Sequence, residues 1–129
     1  MLRKKVRLNK HYLPVFGLGI LIFVGASVPS SPLEDLQKSH QVLEILLSEF
    51  SLHFFGFGLF AWLLCHGFDK EKKHPIPYHK IGIYSFSYGL FVELYQIAIP
   101  YRDFSVLDLA VDCLGIGVAL ILYYVISFR

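Results

Sequence analysis

Charge is scarce in this 129-residue chain: Asp, Glu, Lys and Arg make up only 17% of it, against 55% hydrophobic residues. So apolar a composition excludes a disordered chain. Two cysteines, Cys65 and Cys113, are too few for a disulfide scaffold. They fall at different depths of different apolar stretches and are expected to be unpaired, buried small side chains. No Cys/His cluster has zinc spacing. No haem site, Walker loop or Ser-His-Asp arrangement is legible either. The glycine pairs Gly17-x-Gly19, Gly56-x-Gly58 and Gly115-x-Gly117 lie inside apolar stretches, where close packing explains them without a phosphate loop.

What the chain does have is long uncharged runs. Residues 11–33 carry no formal charge, nor do residues 50–68. Residues 81–101 carry one, Glu93, and residues 104–128 carry two, Asp108 and Asp112. About 20 mostly apolar residues cross a hydrocarbon layer about 30 Å thick. The sequence therefore predicts an all-α, polytopic membrane protein forming one domain over residues 1–129. Its four transmembrane helices are expected at about 12–28, 47–65, 79–100 and 104–127. Four spans in so short a chain exclude a nucleic-acid-binding domain and a large water-soluble enzyme.

The net charge of +2 gains meaning from its placement. Arg3, Lys4, Lys5, Arg7 and Lys10 precede the first span, Lys70, Lys72, Lys73 and Lys80 separate the second and third, and Arg129 follows the fourth. Only Lys38 and Arg102 fall on the other side. This asymmetry places both termini and the 67–80 loop in the cytoplasm. The length of the first apolar run and the even helix count favour an uncleaved anchor over a signal peptide.

Between the first two spans, Ser31-Pro32-Leu33-Glu34 has the form of a capping box. Leu33, Leu36, His40, Leu43 and Leu47 then recur on one helical face. An amphipathic helix over 32–46, lying on the outer surface, is expected. Tyr101-Arg102-Asp103 makes a very short turn, so the third and fourth spans should form an antiparallel hairpin. The basic loop Lys70-Glu71-Lys72-Lys73-His74 reads chiefly as a topology determinant.

Ionisable groups inside a span cost roughly 2.5–3.5 kcal/mol each at mid-bilayer on insertion scales, and their helical phase here is not random. Ser105, Asp108, Asp112, Gly115 and Ala119 share one face of the fourth span. Ser85, Gly89, Glu93 and Gln96 share one face of the third, and Glu49, His53 and Gly56 one face of the second. Counted from the connections at 1.5 Å per residue, His53, Glu93, Asp108 and Asp112 reach similar heights. Arg102 stands at the mouth. Together they predict a polar pocket that opens outward.

These residues resemble a known pattern. Glu93-x-x-Gln96, Pro100-x-Arg102, then Ser105-x-x-Asp108-x-x-x-Asp112-x-x-Gly115 is similar to the signature of the VanZ-like family of small bacterial membrane proteins. Glu49-Phe50-Ser51-Leu52-His53 aligns with that family's usual Asp-Lys-x-x-His. Glu49 stands for Asp, Phe50 for Lys, and Asp112 for Asn, which removes a cation from the pocket mouth and adds an acid within. The resemblance covers about residues 12–126. It implies a multi-pass protein of the bacterial cytoplasmic membrane whose family is linked to glycopeptide resistance, with no established biochemical activity.

On this reading His53, Glu93 and Asp108 are the candidate catalytic groups, and Gln96, Arg102, Ser105 and Asp112 the candidate ligand-binding groups. Arg102 suits a phosphate or carboxylate through its planar fork. Glu93, Asp108 and Asp112 are candidate oxygen ligands for a divalent cation. The expected partners are the bilayer and a lipid or cell-envelope precursor. The competing reading is a structural protein, self-associating or bound to another membrane protein, whose polar stripes only hold the bundle together. A transporter ranks below both, because the cytoplasmic halves of the second, third and fourth spans lack polar residues.

Overall fold

The computed structural model describes residues 9–28 and 48–128. The amphipathic helix expected over 32–46 lies outside the described residues. Among the described residues, four α-helices follow one another: α1 (Leu13–Ser27), α2 (Glu49–Lys70), α3 (Tyr78–Gln96) and α4 (Val106–Ser127). A single turn of 3-10 helix, Lys10–Tyr12, leads into α1, whose Pro14 sits in the first turn where a missing N–H costs nothing. Among the described residues, three segments are long and apolar enough to cross a membrane, namely Lys10–Ser27, α2 and α4. Helix α3 has 19 residues, about 28 Å at 1.5 Å per residue. Its four tyrosines, His79, Lys80, Glu93 and Gln96 make it less apolar than the others.

Side-chain placement is inverted relative to a water-soluble bundle. Glu93 and Asp112 are fully buried, whereas Ile20, Leu114 and Ile121 are each more than 60% exposed. Apolar side chains pointing outward and ionic ones inward is the arrangement lipid demands. Helix α2 is central. It packs against α1, α3 and most extensively α4, while α1 touches α2 and α3 but not α4 among the described residues. A Cβ on Gly115 would lie 2.2 Å from the Phe54 carbonyl oxygen, and one on Gly58 3.1 Å from that of Gly115. These two glycines let α2 and α4 meet backbone to backbone. Close packing does not extend to every glycine pair: Gly17 and Gly117 face open space.

Expected helix bounds shift at three places. Helix α2 runs past Cys65 to Lys70, because the polar residues after Cys65 continue the helix out of the apolar layer. Helix α3 stops at Gln96 and α4 starts at Val106, so their connection is residues 97–105 rather than a three-residue turn. Pro100 lacks the donor a longer helix would need and disfavours helical geometry at Ile99. Tyr101 then adopts a left-handed φ of 63°. Bonds from Ala98 N to Tyr95 O and from Arg102 N to Ile99 O close the bend. Helices α3 and α4 pack as an antiparallel pair nonetheless.

Tyrosines on α3 dock α1. The Tyr88 hydroxyl donates to the Gly19 carbonyl at 2.5 Å, and Ser27 and Tyr95 pair at 3.2 Å. The Phe23 ring lies 4.5 Å from that of Tyr95, centroid to centroid. At the other end of the bundle, Glu71 gathers the chain. It accepts from the Tyr12 hydroxyl at 2.8 Å and from Asn9, and pairs with Lys73. Lys73 above all, then Tyr12, holds the Glu71 carboxyl below its ordinary range.

Candidate functional site

Each polar stripe of the sequence reaches the same end of the bundle. Ser48 caps α2, its hydroxyl accepting from the Ser51 N–H at 3.3 Å, and this starts the helix so that His53 faces inward one turn later. Ser105 caps α4 in the same way, accepting from Asp108 N–H at 3.1 Å. That cap orients the α4 face carrying Asp108 and Asp112. On α3, Gly89 leaves room for Asp112, whose Oδ2 would lie 2.9 Å from a Cβ there.

At the centre stands His53, 8% exposed, with Nδ1 2.8 Å from Asp112 Oδ1. That is hydrogen-bond distance; the 3.8 Å between His53 Nε2 and Glu93 Oε1 is not. Glu93 Oε2 accepts from the Ser105 N–H at 3.1 Å. Three helices therefore meet through ionic side chains within about one turn of one another. Ligand atoms of His53, Glu93 and Asp112 all lie within 4.8 Å, as do those of Glu49, His53 and Asp108. The all-acid set Glu93, Asp108 and Asp112 is not one of these groupings. Among the described residues, Ser85 Oγ, Glu93 Oε1 and Asp112 Oδ2 are buried without a hydrogen-bond partner.

Arg102 lies above this cluster in the connection. Its Nη1 donates to Glu49 Oε1 at 2.7 Å and its Nη2 to the Val28 carbonyl at 3.3 Å. The Arg102 side chain is only 11% exposed, while Glu49 is 53% exposed. This ties α1, α2 and the α3–α4 connection together at the mouth. Gln96, 2% exposed, lies one turn after Glu93 on the same face of α3. Glu49 was not among the candidate residues; its signal was the four-residue spacing to His53, which puts both on one face of α2.

The cluster is packed rather than hollow: His53, Glu93, Asp108 and Asp112 are all buried. An open groove of about 520 Å³ lies elsewhere, between α3 and α4, with Gly82, Phe86, Cys113 and Leu120 in its wall. Cys65 is buried as expected, but Cys113 is exposed, because one step of the helix beyond Asp112 turns its thiol toward this groove. Both cysteines are free.

No curated protein and no solved structure matches the chain. The VanZ/LLP1 family model matches residues 18–127, a stretch that contains every residue of the cluster. The chain is a membrane protein of the VanZ/LLP1 family.

Proposed function

We propose that the protein binds an anionic amphiphile or cell-envelope precursor at the Arg102 end of the bundle, and holds or modifies it there. The observation that supports this most is the meeting of His53, Glu93 and Asp112 from three helices. Buried ionic groups are expensive in a bilayer and concentrate where function needs them. Arg102 supplies the anion contact. Its guanidinium is already shaped by one carboxylate, Glu49, and an exposed carboxylate is readily displaced by a phosphate. His53, Glu93 and Asp108 are the groups available for proton transfer, and Gln96, Ser105 and Asp112 position them.

From the Lys and Arg distribution we infer that this end faces outward from the cytoplasmic membrane, with both termini inside. A cysteine at Asp103 then labels from outside and one at Lys73 only from inside; the reverse pattern refutes the orientation. For the binding site, the chain is purified in nanodiscs containing phosphatidylglycerol and examined by native mass spectrometry. The wild type retains anionic lipid and Arg102→Gln loses it. Equal retention by the two contradicts the proposal.

One observation favours the structural reading: the cluster is sealed, with Glu93 and Asp112 fully buried and His53 already paired. If the stripes serve only as interhelical glue, Glu93→Gln and Asp112→Asn keep every property of the wild type, including retained lipid.

A further inference from the structure

Asp112 fixes the tautomer of His53. With Asp112 ionised and the imidazole neutral, the 2.8 Å contact places the ring proton on Nδ1 and leaves the lone pair on Nε2. That lone pair faces Glu93 Oε1 across 3.8 Å. Glu93 is fully buried, and Oε1 has no hydrogen-bond partner among the described residues. Its other oxygen is held by the Ser105 N–H, so the carboxylate is aimed as firmly as the imidazole. Two electron-pair donors thus point at one another inside an apolar bundle, each oriented from behind.

A carboxylate behind one ring nitrogen, with the other nitrogen presented forward, is how metal-ligating histidines are held. The distance fits. With bonds of about 2.1 Å, two ligands of one ion lie about 3.4 Å apart at a tetrahedral angle and about 4.2 Å apart in line. The observed 3.8 Å falls between. Asp112 offers a carboxylate oxygen within 4.8 Å of ligand atoms of both His53 and Glu93, while Asp108 and Glu49 form a separate grouping with His53 that does not include Glu93. An imidazole among carboxylates favours a first-row transition-metal dication over calcium or magnesium, which take oxygen alone.

We propose that His53 Nε2 and Glu93 Oε1 bind a divalent transition-metal ion of the zinc or manganese class, with Asp112 as the group that orients the imidazole. An ion there takes His53 Nε2 and Glu93 Oε1 out of direct proton transfer, so the inference replaces those two roles in the proposed function and leaves its lipid contact as it stands. It does not depend on Arg102 binding an anion.

The test uses the full chain in nanodiscs, stripped with chelator, re-equilibrated with micromolar zinc or manganese, and assayed by inductively coupled plasma mass spectrometry. The wild type binds about one ion per chain, and excess calcium or magnesium does not displace it. Glu93→Gln preserves shape and the acceptor for Ser105, yet weakens binding at least tenfold. Asp112→Asn weakens it about 10–100-fold, as loss of an orienting carboxylate does. Arg102→Gln binds the ion as the wild type does, which separates this site from the lipid contact. A wild type that binds neither ion, or that binds equally in both carboxamide variants, overturns the proposal. Should either variant fail to insert, X-ray absorption of the zinc-loaded wild type decides: one imidazole with carboxylate oxygens supports it, and sulfur or several imidazoles refute it.

Discussion

A fully buried carboxylate must be answered by a proton, a cation or hydrogen-bond donors. Asp112 finds its answer in His53 on one side, and Gly89 admits its second oxygen on the other. Asp112→Ala leaves the imidazole N–H unpaired in the bundle and is expected to cost about 1–3 kcal/mol. Asp112→Asn keeps an acceptor and costs less. Unfolding in detergent, followed by the single tryptophan, Trp62, which packs on Tyr123 of α4, separates them; equal stabilities would show that the pair bears no load. The sequence placed His53 and Asp112 on inward faces at similar heights, through the phase and depth of their helices, but did not pair them. The partner of Arg102 was not legible, since a side chain in an irregular connection follows no period. Ser105 was legible as part of a spacing, but its two jobs, capping α4 and steadying Glu93, appear only in the folded chain.

At the scale of elements, Gly115 sets how closely α2 and α4 approach. Gly115→Ala drives a methyl group into the Phe54 carbonyl, where backbone must move, and is expected to destabilise by about 1–3 kcal/mol. Gly117→Ala is the control: its Cβ meets nothing within 4 Å, so stability holds or rises slightly. Similar melting of both variants would mean that the α2–α4 contact is looser than described. All four helices could be read from long runs with no more than two charges each, which report where a helix is apolar but not where it ends. Hence α2 overshoots Cys65 into water, and the α3–α4 connection is longer than the charged triplet suggested. In α3, tyrosines that lower its apolar content are the groups that dock α1, a pairing no single-helix pattern reveals.

Across the whole molecule, the two ends of the bundle are held differently. The Arg102 end is joined by the buried cluster, the opposite end by Glu71, its side chain 12% exposed and linked to Asn9, Tyr12 and Lys73. The Glu71 carboxyl lies below its ordinary value of 4.5, so folding favours its charged form. Its contribution is complete above that value and is lost as pH falls through the lower folded one. Acidification through this window should loosen residues 9–12 from the end of α2, seen as faster hydrogen exchange there. Glu71→Gln should remove that pH dependence; exchange equally pH-dependent in both proteins would assign it elsewhere. Asn9 and Glu71 are 62 positions apart, and nothing periodic in the sequence links them.

The central claim is that ionic groups from three helices meet at His53, and solid-state NMR of the protein in bilayers tests it most directly. With histidine nitrogens and carboxylate carbons labelled, the His53 ring, identified by its loss in His53→Gln, should show strong contacts to the Asp112 carboxyl and weaker ones to Glu93. A His53 ring that contacts neither carboxyl in the lipid-embedded protein would contradict the account.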